Sequence, residues 1–89
     1  MKKIRILISG RVVGVNFRNF ARTEAEKLGV KGYVRNLKSE VEVVAEGEEE
    51  KLKAFEKICR RGPLLAFVKD VKVTEEKPTG EFEEFEVRF

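Results

Sequence analysis

Ile4, Ile6, Ile8 and Gly10 alternate with Arg5, Leu7 and Ser9 along residues 3–12, a period of two that predicts a β-strand. Both of its faces are largely apolar, as expected of a strand inside a sheet. Over residues 19–28 the period lengthens: Phe17, Phe20, Ala21, Ala25 and Leu28 fall on one helical stripe, with Arg22, Glu24, Glu26 and Lys27 toward water. Gly29 ends that helix. Residues 30–37 and 41–45 return to strand patterning around Lys38-Ser39, which predicts a hairpin with a tight turn.

Glu48, Glu49 and Glu50 follow Gly47 and place negative charge where a second helix starts, the end its dipole favours for acids. Leu52, Phe55, Ile58 and Cys59 supply its buried stripe, and Arg60, Arg61, Gly62 and Pro63 close it with cations and helix breakers. Residues 67–74 read as a strand, Lys77-Pro78-Thr79-Gly80 as a turn, and Phe82, Phe85, Val87 and Phe89 as part of a final strand. The order is βαββαβ with a short extra strand. Two βαβ crossovers place the first and third strands side by side with both helices on one face. The expected architecture is an α+β ferredoxin-like sandwich. It has a mixed, mainly antiparallel sheet of four to five strands and forms one domain over residues 1–89.

Composition narrows the chemistry. The chain has no histidine, which excludes Ser/His/Asp and Cys/His nucleophilic schemes, histidine zinc sites and a histidine phosphocarrier. Of 16 acidic residues only Asp70 is an aspartate. The glutamates read as scattered over exposed positions, which gives no paired-carboxylate acid/base site. A net charge of +3 with interleaved signs leaves little nucleic-acid footprint. No apolar run approaches a membrane span and no signal-peptide hydrophobic region follows Met1, so the expected location is the cytoplasm. The single cysteine agrees with a reducing compartment. Abundant Lys and Glu without Gln or Trp is a heat-adapted pattern.

The candidate chemistry lies between the first strand and the first helix, in Gly10-Arg11-Val12-Val13-Gly14-Val15-Asn16-Phe17-Arg18. A glycine turn that opens a helix aims main-chain N–H groups at one centre, and the helix start adds partial positive charge. Arg18 supplies a planar fork matched to phosphate or carboxylate oxygens. The fold brings this loop near Gly32-Tyr33-Val34-Arg35-Asn36, where the Asn36 amide can accept from a water and donate to a phosphoryl oxygen.

These two segments, followed by Val41 and Gly47 and closed by Phe85-Glu86-Val87-Arg88-Phe89, resemble the acylphosphatase family, whose signatures are G-R-V-Q-G-V-x-F-R and G-[FYW]-V-x-N. The resemblance implies hydrolysis of an acyl phosphate to a carboxylate and inorganic phosphate. It assigns substrate binding to Arg18, water orientation to Asn36, and the phosphate cradle to the main chain of Val13, Gly14, Val15, Asn16 and Phe17. It implies no metal and no cofactor, a small-molecule substrate, and a monomer without membrane or nucleic-acid partners. Val13 stands where the family has glutamine, and the turn after Asn36 is one residue shorter and lacks glycine. The aim of Asn36 depends on that turn.

Two other readings use the same fold. An RNA-binding module would present aromatics on the central strands. Lys31-Gly32-Tyr33-Val34 begins such a signature, but Arg35 and Leu37 stand where the next aromatics are needed. A non-catalytic anion-binding domain would keep the loop without turnover.

Overall fold

The alternation of the first strand puts Ile6 and Ile8 at zero exposure, in one core with Val34, Val41, Val43 and Ala45. The computed structural model describes residues 1–89. It contains β1 (Lys2–Arg11), α1 (Phe17–Leu28), β2 (Lys31–Asn36), β3 (Glu40–Gly47), α2 (Glu49–Arg61), β4 (Phe67–Glu76) and β5 (Phe85–Arg88). One sheet holds all five strands in the order β4-β1-β3-β2-β5. The first four pair antiparallel, and β5 joins β2 in parallel. No helix is long and apolar enough to cross a membrane.

The helices complete the core with Phe17, Ala21 and Ala25 from α1 and Leu52, Phe55 and Cys59 from α2. Phe55 meets Phe85 of β5 edge-on, with ring centroids 5.6 Å apart. Burial pushes the Cys59 thiol up to about 12, so it is a protonated packing group and no nucleophile. α1 begins two residues earlier than its periodicity suggests because buried Phe17 anchors the first turn. It ends at Gly29, whose N–H donates to the carbonyls of Ala25 and Glu26.

The second face of β1 departs from the sequence reading. Lys3 and Arg5 lie there among the polar side chains of β3, opposite Glu46 and Val44 in the β1–β3 register. Glu42 and Glu46 are buried, with 4% and 3% exposure, so the glutamates are not all at exposed positions. Glu42 accepts from Arg5 at 2.7 Å, from Arg35 and from the Tyr33 hydroxyl. Glu46 accepts from the main-chain N–H groups of Thr79 at 2.6 Å and Gly80 at 3.0 Å. A buried carboxylate persists when every lone pair has such a donor.

The Glu46 contacts also correct the last strand, which occupies only Phe85–Arg88. β4 and β5 lie at opposite edges of the sheet, so the segment between them must cross the sheet. It passes over the polar face, fastened by Glu46, by Lys3 to Glu81 at 3.5 Å, and by Phe82 against Tyr33 at 6.0 Å.

Burial alone would raise both carboxyls. For Glu42 the hydrogen bonds from Arg35 and Arg5 outweigh it, and for Glu46 the N–H groups of Thr79 and Gly80 with nearby Lys3 do so. Both pKa values end below the ordinary glutamate value. Their stabilisation is therefore complete above the unfolded value of about 4.3 and disappears as pH falls through the lower folded values. Melting temperature should fall as pH drops below about 4. A Glu42→Gln, Glu46→Gln double variant should melt lower at neutral pH and show a flatter acid limb; an equally steep limb in the variant would assign the acid sensitivity to other groups.

Candidate active site

Between the end of β1 and the start of α1 the chain turns through two left-handed residues, Gly14 with φ 81° and Asn16 with φ 65°. A Cβ added to Gly14 would meet nothing within 4 Å. Its requirement is therefore conformational. Asn16 is the chain's one non-glycine residue with positive φ, a conformation asparagine tolerates better than most. Its Oδ1 accepts from the Asn19 amide at 3.0 Å, and the Asn19 Oδ1 accepts from Arg22 at 3.4 Å.

This path leaves a row of donors free. No main-chain N–H from Val13 to Asn19 donates to a main-chain carbonyl, and the ladder begins with the Phe20 N–H to the Asn16 carbonyl at 3.2 Å. Free N–H groups at a helix start are an anion site. The two helices differ in how they treat that end: α2 carries Glu49 and Glu50 in its first turn, whereas α1 carries no acid there. The positive end of α1 is left unneutralised by its own sequence.

A cavity of about 280 Å³ opens at this end, lined by Gly14, Asn16, Phe17, Arg18, Asn19, Asn36, Val87 and Phe89. Of the residues expected from sequence, it brings together Gly14, Asn16, Phe17, Arg18 and Asn36. Val13 is exposed instead, and Val15 packs against the core. Arg5, Arg35, Arg60 and Arg88 each pair with a glutamate; Arg18, like Arg11, Arg22 and Arg61, has no acidic partner, and of these four it alone lines the cavity. Its guanidinium lies 4.4 Å from the centre of the Phe89 ring.

Asn36 ends β2 opposite Val41, and the short turn closes with the Leu37 N–H donating to the Glu40 carbonyl at 2.8 Å. The missing residue therefore does not disrupt pairing at Asn36. Its Oδ1 is buried and has no hydrogen-bond partner, an unmade bond that costs about 1–3 kcal/mol. Asn36 lines the cavity as a neutral amide whose Oδ1 lies beneath the surface. Sequence reasoning missed Asn19, Val87 and Phe89 in this wall. The last two arrive through the parallel β2–β5 pairing, for which periodicity carries no signal.

Nothing in the cavity wall is a strong nucleophile. It offers main-chain donors, an uncompensated cation and a neutral amide on a two-layer α+β scaffold, a set suited to receiving an anion. Residues 4–87 match the family described as acylphosphatase. The chain is 49% identical to an acylphosphatase of Methylococcus capsulatus, over 98% of this chain and 96% of that one. It is 43% identical to one of Dehalococcoides mccartyi, over 99% of each. The crystal structure of an acylphosphatase from Bacillus subtilis superposes with a TM-score of 0.96 at 36% identity, with 100% of both chains covered. The chain belongs to the acylphosphatase family, hydrolases acting on the carboxyl–phosphate bond of acyl phosphates.

Asn16→Gly should fold as stably as the parent to within about 1 kcal/mol, because glycine enters the left-handed region freely. Asn16→Ala should lose about 1–2 kcal/mol more than Asn16→Gly in chemical denaturation, since both variants lose the bond from Asn19 and only alanine carries the Cβ penalty. Equal stabilities for the two variants would show that the loop conformation is not what Asn16 provides.

Proposed function

We propose that the main-chain N–H groups of residues 13–17 and the Arg18 guanidinium hold the phosphoryl group of an acyl phosphate while Asn36 orients the attacking water. The supporting observation is that Asn36 and Arg18, which has no acidic partner, line one cavity at the free N–H groups of the α1 start. The Asn36 amide orients the water, whose oxygen bonds to phosphorus. The bond from phosphorus to the acyl oxygen breaks, and the electron pair leaves on a carboxylate. The proton given up by the water moves to a phosphate oxygen. A carboxylate is a stable leaving group that needs no general acid. A loose phosphoryl transition state is governed by positioning and charge stabilisation, which suits a chain without histidine.

The protein works on this reading as a cytoplasmic monomer with a small-molecule substrate. The buried free thiol agrees with a reducing compartment. Nucleic acid is disfavoured because the sheet face an RNA-binding domain would use has Arg5 and Arg35 neutralised by Glu42.

Arg18→Ala should lower kcat/KM for a simple aryl acyl phosphate by about a thousandfold, with Arg18→Lys only partly restoring it. Near-native hydrolysis by Arg18→Ala would remove that side chain from the site. Inorganic phosphate should inhibit competitively and raise the melting temperature by mass action, whereas an RNA oligonucleotide should do neither.

Asn36→Ala should collapse kcat, keep the phosphate inhibition constant close to native, and leave the melting temperature undiminished because an orphaned acceptor has been removed. An active but destabilised Asn36→Ala protein would make Asn36 a turn residue only.

A further inference from the structure

Four of the chain's seven exposed large hydrophobic residues gather at the end of the sheet that carries the cavity: Val13, Leu64, Leu65 and Phe67, exposed by 41%, 97%, 71% and 67%. Phe67 opens β4 opposite Arg11, the last residue of β1, and Val13 lies two residues further on. Leu64 and Leu65 are the central pair of a turn closed by the Ala66 N–H to the Pro63 carbonyl at 3.0 Å. Such positions ordinarily go to Gly, Asn, Asp or Ser, and neither leucine contributes to the core.

The turn is seated against the cavity wall. Gly62 has φ 72°, and a Cβ there would come within 3.2 Å of the Phe17 ring, of Ala66 and of Val68. Phe17 is thus shared, one wall of the cavity and the support of the leucine turn.

Strand order adds a direction. In-line displacement puts water and leaving group on opposite sides of phosphorus. The proposed water-orienting Asn36 sits on β2, two places along the sheet from β1, and β4 flanks β1 on the other side. On the phosphoryl-binding reading, a leaving carboxylate opposite Asn36 has the β1–β4 side of the sheet, where the apolar rim lies, on its side of phosphorus. Val13 gives that rim an aliphatic side chain where the family motif has glutamine.

We propose that Val13, Leu64, Leu65 and Phe67 form an acyl subsite, and that the substrates are acyl phosphates with an extended apolar acyl group. This rests on the phosphoryl-binding reading above and deepens it. The phosphoryl end sits in the cavity, and the acyl chain leaves over Val13 onto the leucine turn. Such a ligand is anionic at one end and apolar at the other, which matches a cavity with a free cation and an apolar rim at the same end of the sheet.

The test compares octanoyl phosphate with acetyl phosphate on the intact protein and on a Leu64→Ser, Leu65→Ser, Phe67→Thr variant. These positions are exposed, and an unchanged melting temperature verifies the variant's fold. The parent should prefer octanoyl phosphate by about tenfold or more in kcat/KM, and the variant should lose about that factor through KM. Acetyl phosphate turnover and the inhibition constant of inorganic phosphate should stay as they were. The same octanoyl-to-acetyl ratio in both proteins would overturn the subsite. So would an unchanged ratio accompanied by loss of a concentration-dependent dimer, which would assign the rim to a second copy of the chain. Failure of the parent to hydrolyse either compound would instead overturn the phosphoryl-binding reading, and the subsite with it.

Discussion

The Glu46 carboxylate, buried on β3, accepts main-chain N–H bonds from Thr79 and Gly80, and much of the architecture follows from that clasp. β4 and β5 are at opposite edges, so the intervening residues must cross a face where there is no helix to receive them. Glu46 fixes the crossing at its start, and the Tyr33 and Lys3 contacts of Phe82 fix it further along. β5 is thereby delivered to β2, Phe85 to the core and Val87 and Phe89 to the cavity wall. A carboxylate on the polar face thus positions residues that close a site on the helical side. Replacing it by an apolar group would leave two N–H donors without partners, a loss larger than that of the bonds themselves.

The two helix starts show one physical rule applied in opposite senses. At α2 the sequence neutralises the exposed N–H groups with Glu49 and Glu50, which stabilises the folded chain by itself. At α1 it supplies no acid, bends the approach through left-handed Gly14 and Asn16, and leaves the N–H groups from Val13 to Asn19 without main-chain acceptors. Unsatisfied donors are tolerated where a ligand completes them. The bond from Asn19 to Asn16 holds the loop in this shape, so the donor geometry belongs to the folded chain before any anion arrives.

Local patterning was enough to read both helices, the first four strands and the glycine turn, because each depends on residues close in sequence. The acylphosphatase resemblance rested on the same short segments, and Gly14, Asn16, Phe17, Arg18 and Asn36 do share one cavity. What escaped was set by distant partners. Glu42 alternates as an ordinary outward polar residue, yet it is buried because Arg5, 37 residues away, and Arg35 converge on it. The shortened turn after Asn36 suggested a disturbed aim, but the hairpin closes one residue beyond it and leaves its pairing with Val41 intact. The final strand was drawn too long because Phe82 continues the aromatic spacing, although it packs on Tyr33 across the polar face instead.

Arg35 and Arg18 show how one residue type is made structural in one place and receptive in another. Arg35 is bound to Glu42, so an incoming anion would have to displace a carboxylate already held by Arg5 and Tyr33. Arg18 is held against the Phe89 ring at 4.4 Å. An aromatic face restrains a guanidinium without neutralising it or occupying its in-plane N–H donors. The cation is thus oriented while its fork stays available to an anion. A glutamate in place of that ring would orient Arg18 equally well and cancel the charge, so an apolar aromatic is the support that keeps both properties.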